Sequence, residues 1–387
     1  MGISSFKQVS IVTIGAEARK TLPAKAKAYG CSKLALVTDQ GMVVLGIADE
    51  IKNCLEAEGF TVIVYDKVEP DPTDTSCEIA AKFVLDNEVD GIIGLGGGSS
   101  LDTAKAVKLL SNNPLPLNQY YRRSDYKKGL PLFLLPTTAG TGSEGSNYSV
   151  INDTVSGNKL SLFVAADESI CDPELTYKMP KSLTASTGVD ALAHAAESLT
   201  SNKPNPHSHL LAERAIELII KYLPIATENP TDAEARYNMM LAANFAGTAF
   251  SDTSTQLGHA LGQSLSAKYH IAHGVTCSWF LPEAIRYSTR YKPDEVKIIL
   301  KAMGVNFPKE ASEEVLSQLV FNELMAFIKK LEFITPSQSG LSREQFVDII
   351  DLVFTSGPIK FVPRIPTREE VAQMLGKIYD DFEALYL

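Results

Sequence analysis

Gly91-Ile92-Ile93-Gly94-Leu95-Gly96-Gly97-Gly98-Ser99-Ser100-Leu101-Asp102 decides how the first half of this chain is read. Residues 91–95 form a short apolar run, the pattern of a strand buried on both faces, and it passes directly into three glycines and two serines. Side chains this small let backbone N–H groups approach a phosphate, and a helix beginning there offers its positive end to the same anion. The stretch reads as a strand, an anion cradle and a helix over 100–111. A tight turn with no ligand would use the same glycines, so the surrounding sequence has to decide.

Outward from it, 34–39, 61–65 and 131–135 are similar apolar runs and read as buried parallel strands. Helical stretches at 45–59 and 73–87 fit between them, giving the βαβ alternation of a doubly wound sheet. A second small-residue loop, Pro136-Thr137-Thr138-Ala139-Gly140-Thr141-Gly142-Ser143-Glu144, follows the last strand, and its hydroxyls and amides suit a phosphate, a ribose or a nicotinamide. In the common dinucleotide fingerprint the ribose-binding acid comes about 20 residues after the glycines. Here the candidate, Asp39, precedes them. Either the topology is a variant or Asp39 merely serves the turn Asp39-Gln40-Gly41.

After about Pro180 strand-like runs nearly vanish. Amphipathic patterns at Leu210–Tyr222, Ala233–Phe250, Glu313–Leu331 and Arg343–Phe354 take over, with breaks expected at Pro204, Pro206, Pro230, Pro282, Pro308, Pro336, Pro363 and Pro366. The expected organisation is an α/β, Rossmann-like dinucleotide-binding domain over 1–180 and an all-α domain over 181–387.

The helical half holds a second constellation. Asp190 and His194, four apart in Thr187-Gly188-Val189-Asp190-Ala191-Leu192-Ala193-His194-Ala195-Ala196-Glu197, project from one helix face and can grip one ion. His259 and His273 would complete a compact N/O ligand set for a divalent metal. Each histidine alone is more often an ordinary helix or core residue, so the case rests on the set.

Composition narrows the field. With 387 residues, 45% hydrophobic and 21% charged, the chain can bury a large core. A formal net charge of −10 gives no basic footprint for nucleic acid. Five scattered cysteines without C-x-x-C spacing suggest neither a disulfide framework nor a zinc knuckle. No leader pattern or membrane-spanning apolar run is evident, and a cytoplasmic protein is the expectation.

Taken in order, Val37-Thr38-Asp39, Gly96–Asp102, Pro136–Glu144, Cys171-Asp172-Pro173-Glu174-Leu175-Thr176, Thr187–Glu197 and His259–Gly274 make the chain resemble the iron-containing, or group III, alcohol dehydrogenases over nearly its whole length. The resemblance implies the fold shared with dehydroquinate synthase, a homodimer or larger homo-oligomer, and NAD-dependent interconversion of a small alcohol and its aldehyde. It implies Asp190, His194, His259 and His273 as ligands of Fe2+, though Zn2+ suits the same donors. It places Gly97, Gly98, Ser99, Asp102, Thr137, Thr138, Thr141 and Lys159 around the dinucleotide, and gives Asp39 the choice of NAD over NADP. Asp71, Tyr148, Phe250 and Gln263 fall on the substrate side.

Departures from the family pattern bear on the substrate. Gln263 stands where many relatives carry a histidine, and an amide cannot relay protons as imidazole does. Asp71, in Pro70-Asp71-Pro72, replaces an asparagine, and Gly145-Ser146 follows Glu144 where a bulkier aliphatic residue is common. Lys360 and Arg364, in Gly357–Arg364, would form an anion clamp if that loop lined the cleft. An acidic-tailed aldehyde (a semialdehyde, or a sulfo or phosphono aldehyde) is thus an alternative substrate class, and a dehydroquinate synthase-like reaction without net redox change an alternative chemistry.

Overall fold

The computed structural model describes residues 4–385 of the chain. Contacts divide them into two compact units, one of residues 8–179 and 230–244, the other of residues 4–7, 180–229 and 245–385.

The first unit is built on six parallel strands: β1 (Ile11–Ile14), β2 (Lys33–Val37), β3 (Thr61–Tyr65), β4 (Gly91–Gly96), β5 (Leu132–Pro136) and, after a β6–β7 hairpin (Tyr148–Asn152, Lys159–Phe163), β8 (Glu168–Cys171). Their order is β1-β8-β5-β4-β2-β3. Helices α1 (Leu22–Ala28), α2 (Gln40–Val44), α3 (Ile47–Ala57), α4 (Asp74–Asp86) and α5 (Gly98–Leu110) connect them. Because successive strand side chains point to opposite faces, Leu34, Leu36, Ile93, Leu95, Phe133 and Leu135 pack with α1 and α3, while Ala35, Val37, Ile92, Leu132 and Leu134 pack with α4 and α5. Both faces are dry, which is why these strands read as continuous apolar runs.

The four expected strands are β2 to β5. The expected helix 45–59 is α3; the short α2 before it was not expected, and the two are parted at Gly46, whose φ of 73° belongs to the left-handed region that glycine enters freely. Strand order also explains the inverted fingerprint. The connection after β2 leads to β3 on one side, the connection after β4 to β5 on the other, so the two carboxyl ends flank a topological switch point, where α/β sheets bind ligands. Thr38 Oγ1 donates to the Leu95 carbonyl at 2.8 Å and locks these two strand ends together.

The second unit is helical: α6 (Lys181–Thr200), α7 (Pro206–Glu228), α8 (Ala233–Thr253, within which the division falls), α9 (Leu257–Tyr269), α10 (His273–Thr289), α11 (Pro293–Ala302), α12 (Glu313–Lys330), α13 (Arg343–Val347), α14 (Ile350–Thr355) and α15 (Arg368–Glu383). Arg343–Phe354 is two short helices, not one. Pro282 does not break the chain as expected; it sits inside α10, where packing against α6, α9 and α12 outweighs the backbone bond it removes. Pro206 opens α7 at its first turn, where no N–H is missed, behind the Asn205 cap. Among the described residues no helix is long and apolar enough to cross a membrane.

The approach of α5 to β4 depends on Gly94, where a Cβ would stand 2.7 Å from the Ala104 Cβ and 2.6 Å from a Leu134 methyl. Leu134 can turn, but Ala104 cannot. Gly94→Ala is expected to cost about 1–3 kcal/mol through overpacking, read as a lower denaturation midpoint at unchanged slope.

Candidate active site

Helix α6 presents Asp190, His194 and Glu197 at i, i+4 and i+7, one buried face, and α9 and α10 pack beside it carrying His259 and His273. Asp190 Oδ1 lies 3.7 Å from His194 Nε2, 3.5 Å from His259 Nε2 and 3.6 Å from His273 Nε2. Donors about 2.1 Å from a shared ion in tetrahedral array stand about 3.4 Å apart, so these separations fit one divalent cation. They are also too long for good hydrogen bonds, and the buried His259 Nε2 has no hydrogen-bond partner.

Glu197, which the sequence reading did not single out, completes the arrangement. Its Oε1 is 2.9 Å from His259 Nδ1, and its Oε2 accepts the backbone N–H groups of Gln256 and His259 at the start of α9. One carboxylate caps that helix and directs the His259 Nδ1 proton toward itself, which leaves Nε2 as the ligand atom. Gly258 makes room for it, since a Cβ there would stand 2.4 Å from Glu197 Oε1. The signal was available in the sequence as a third position on the Asp190/His194 face.

The electrostatics of this pocket favour a cation. Burial pushes the Asp190 carboxyl up, but His194, His259 and His273 outweigh it and hold it well below the ordinary carboxylate range. Burial likewise disfavours a charged His259, yet Glu197 and Asp190 push it up to about 10. The Phe250 ring stacks on His194 at 4.4 Å between centroids, and Gln263 lies one turn beyond His259 on α9. Cys277, one turn beyond His273 on α10, places its Sγ 3.4 Å from Asp190 Oδ1 and 3.5 Å from His273 Nε2.

The remaining candidates belong to the α/β unit. Gly97 precedes α5 with no side-chain cap on the helix, leaving its first amides to face an anion, and Thr138 and Thr141 line Gly97 and Gly98. Asp39 caps α2 by accepting the Met42 N–H, and it also accepts the Ser100 hydroxyl at 3.0 Å, which places it beside the glycine turn. It is both a turn residue and a neighbour of the cradle. Ser99 Oγ accepts the Asp71 N–H at 3.2 Å, and Thr137 is buried.

Asp102 has both oxygens engaged by protein donors, Ser143 Oγ at 2.7 Å and the Val150 N–H at 3.0 Å, so it braces the second loop and the hairpin. Beneath it lies another residue that the sequence reading missed. The fully buried Lys105 donates to the carbonyls of Ser143, Ser146 and Tyr148 and to Ser143 Oγ, all within 3.1 Å. Burial pushes its ammonium down to about 8, against the pull of Asp102 and Glu144. Tyr148 stands edge-on to Phe163 in the hairpin.

Two charged groups named in the sequence are already paired with protein partners. Lys159 Nζ and Asp71 Oδ1 are paired at 2.6 Å, so the Asp71 charge is answered within its own unit and Lys159 is not an uncommitted cation. The Lys360/Arg364 clamp is not formed. Arg364 is held by Glu370 at 2.7 Å and by the Tyr287 hydroxyl at 3.0 Å, because Glu370 belongs to the capping box that starts α15. Its charge is spent there, and Lys360 is exposed.

Comparison with known proteins agrees with this geometry. Residues 10–173 match the family described as iron-containing alcohol dehydrogenase, and residues 184–379 match the C-terminal region of the Fe-containing alcohol dehydrogenase family. A choline dehydrogenase of Bacillus subtilis is 34% identical over 87% of this chain and 86% of its own. An NAD-dependent methanol dehydrogenase of Bacillus methanolicus is 30% identical over 94% of this chain and 96% of its own. Among solved structures, a sulfoacetaldehyde reductase from Bifidobacterium kashiwanohense in complex with NAD+ superposes with a TM-score of 0.85 at 26% identity, covering 99% of each chain.

The Glu197 contact generates a test. In Glu197→Gln the amide can meet His259 Nδ1 with an N–H, which favours the wrong tautomer. Affinity for a divalent ion, measured by competition with a chromophoric chelator, is expected to fall about 10–100-fold. Unchanged affinity would show that Glu197 only caps α9.

Proposed function

Since the chain belongs to the iron-containing alcohol dehydrogenase family and is an oxidoreductase acting on the CH–OH group of alcohols, we propose that it interconverts a small primary alcohol and its aldehyde with NAD and a divalent ion, Fe2+ in the first instance. The observation that carries this reading is the convergence of three imidazole nitrogens on Asp190 Oδ1 in a buried, cation-favouring pocket. In it, residues 1–180 hold the dinucleotide and 181–387 the metal and the substrate. A cytoplasmic homodimer or larger homo-oligomer completes the reading.

When bound, the ion polarises the carbonyl oxygen as a Lewis acid and the nicotinamide gives or takes the hydride. The protein's own groups position and tune. Asp190, His194, His259 and His273 supply the ligand atoms, and Glu197 holds His259 in the right tautomer. Phe250 fixes the His194 ring and lends an apolar wall for a short carbon chain. In the α/β unit the uncapped start of α5 receives the pyrophosphate. Lys105 and Asp102 hold the Ser143–Tyr148 loop rigid beside it, so that binding does not have to order that loop.

A sulfoacetaldehyde reductase among the similar structures supports acidic-tailed aldehydes as a second reading. The Arg364–Glu370 pair weighs against it, because the charge that would receive such a tail is already neutralised. A reaction without net redox change is not favoured, since the relatives compared are dehydrogenases and a reductase.

Two measurements test the reading. With NAD and short primary alcohols, stoichiometric NADH formation is expected in metal-loaded protein, and His273→Ala or chelator-stripped protein should lose about 100-fold or more of kcat/KM. Undiminished turnover in the stripped protein would overturn the metal role. Asp39 should favour NAD, because its carboxylate accepts from ribose hydroxyls and repels a 2′-phosphate. Asp39→Gly is expected to narrow the ratio of kcat/KM for NAD over NADP by about tenfold. Equal efficiency with both cofactors in the unaltered protein would show that Asp39 serves only α2 and Ser100.

A further inference from the structure

Cys277 lies within the metal cluster, not beside it. It is 1% exposed, yet its surroundings are not the apolar packing that a buried thiol usually occupies. Its Sγ faces the Asp190 carboxylate and the His273 imidazole. The ligand atoms of Asp190, His259, His273 and Cys277 all lie within 4.8 Å of one another. The spacing of the sequence explains why: His273-x3-Cys277 on α10 repeats the geometry of Asp190-x3-His194 on α6, so that each helix turns two donors, four residues apart, toward the same point.

The distances can be compared with those that sulfur coordination requires. A thiolate about 2.3 Å and a carboxylate or imidazole donor about 2.0–2.1 Å from one ion stand about 3.1–3.8 Å apart at the 90–120° angles of a five-donor set, in which Cys277 joins Asp190 and the three histidines. The observed separations, 3.4 Å to Asp190 Oδ1 and 3.5 Å to His273 Nε2, match. The competing arrangement is a protonated thiol donating to Asp190. That also fits both distances, since His273 lies four residues before Cys277 on the same helix face, so metal loading has to separate the two arrangements. His259 Nε2, buried and without a hydrogen-bond partner, is aimed into the same space, an independent sign that a ligand belongs there.

We propose that Cys277 is a direct sulfur donor to the divalent ion of this site, so that the ligand set is N/O/S and favours zinc or cobalt over harder ions more strongly than histidine and carboxylate alone would. Binding then replaces the thiol proton, which leaves to solvent, and forms one metal–sulfur bond with no change of oxidation state. The proposal rests on the reading of this cluster as a metal site and changes its chemistry.

The test is the absorption spectrum of the full-length protein stripped with a chelator and reloaded with Co(II). Visible d–d bands report that cobalt occupies the site, and a near-ultraviolet charge-transfer band reports a cobalt–thiolate bond. Both are expected in the unaltered protein. In Cys277→Ser the d–d bands should persist, the charge-transfer band should vanish, and zinc affinity by chelator competition should fall about tenfold or more while manganese affinity stays within about twofold. The other four cysteines, Cys31, Cys54, Cys77 and Cys171, belong to the α/β unit, so loss of the band in this variant assigns it. Cobalt d–d bands without charge transfer in the unaltered protein would overturn the sulfur donor and leave the metal reading standing. Absence of any cobalt spectrum would overturn both, and the unaltered protein decides even if the variant does not fold.

Discussion

The helical unit is organised around the burial of one carboxylate. Taking Asp190 out of water costs several kcal/mol unless positive charge or strong donors replace its hydration. α6 cannot supply them alone, since its own face offers only His194 four residues on. The answer comes from two other helices, and this requirement sets how closely α9 and α10 must approach α6. Glu197 shows the same economy: it fills the space left at Gly258, receives the first amides of α9, and in the same contact fixes the proton of His259. Removing either carboxylate would disturb helix packing and ligand geometry together. The fold of this unit and the chemistry of its site are therefore not separable.

In the function proposed for it, the α/β unit solves the opposite problem, how to keep a loop of small residues open to an anion without letting it collapse. No side chain caps the helix that starts at Gly98, so stiffness has to come from beneath. Lys105 provides it as a buried cation among carbonyls, with Asp102 bridging Ser143 to the β6–β7 hairpin. A charged group with four acceptors in a dry interior is stable only as long as every one of those acceptors stays in place. A rigid rim around a flexible sequence is the consequence.

Much of this was legible in the sequence where the pattern is local. Apolar runs gave β2 to β5, and four-residue spacing gave the Asp190/His194 face. The glycines after Leu95 gave the turn from β4 into α5. What was not legible depends on tertiary pairing. β8, Glu168-Ser169-Ile170-Cys171, carries polar residues that are buried only because Lys25 pairs with Glu168 and Ser169 donates to the Glu144 carbonyl. β1 is a half-exposed edge strand of only four residues. Asp39 was ambiguous because a turn residue and a neighbour of the glycines can be the same residue, and only the strand order β4-β2-β3 reveals that a turn after β2 adjoins the glycines after β4. The Arg364 clamp failed for a local reason: Glu370 lies three positions after Thr367, and the capping box they form claims the arginine first.

Cys277 is silent in the spacing of cysteine to cysteine, because no other cysteine lies near it in the chain. On a helix the relevant neighbour is whatever lies four residues away, and here that is a metal-ligand candidate. A donor's identity matters less to the fold than its position, since a residue of similar size at 277 fills the same volume between α10 and α6. It matters greatly to the ion, because softness sets which metals a buried site retains when several compete. The same backbone geometry can therefore keep its reaction class while its metal preference is set by one side chain, a degree of freedom that neither the sheet topology nor the histidines constrain.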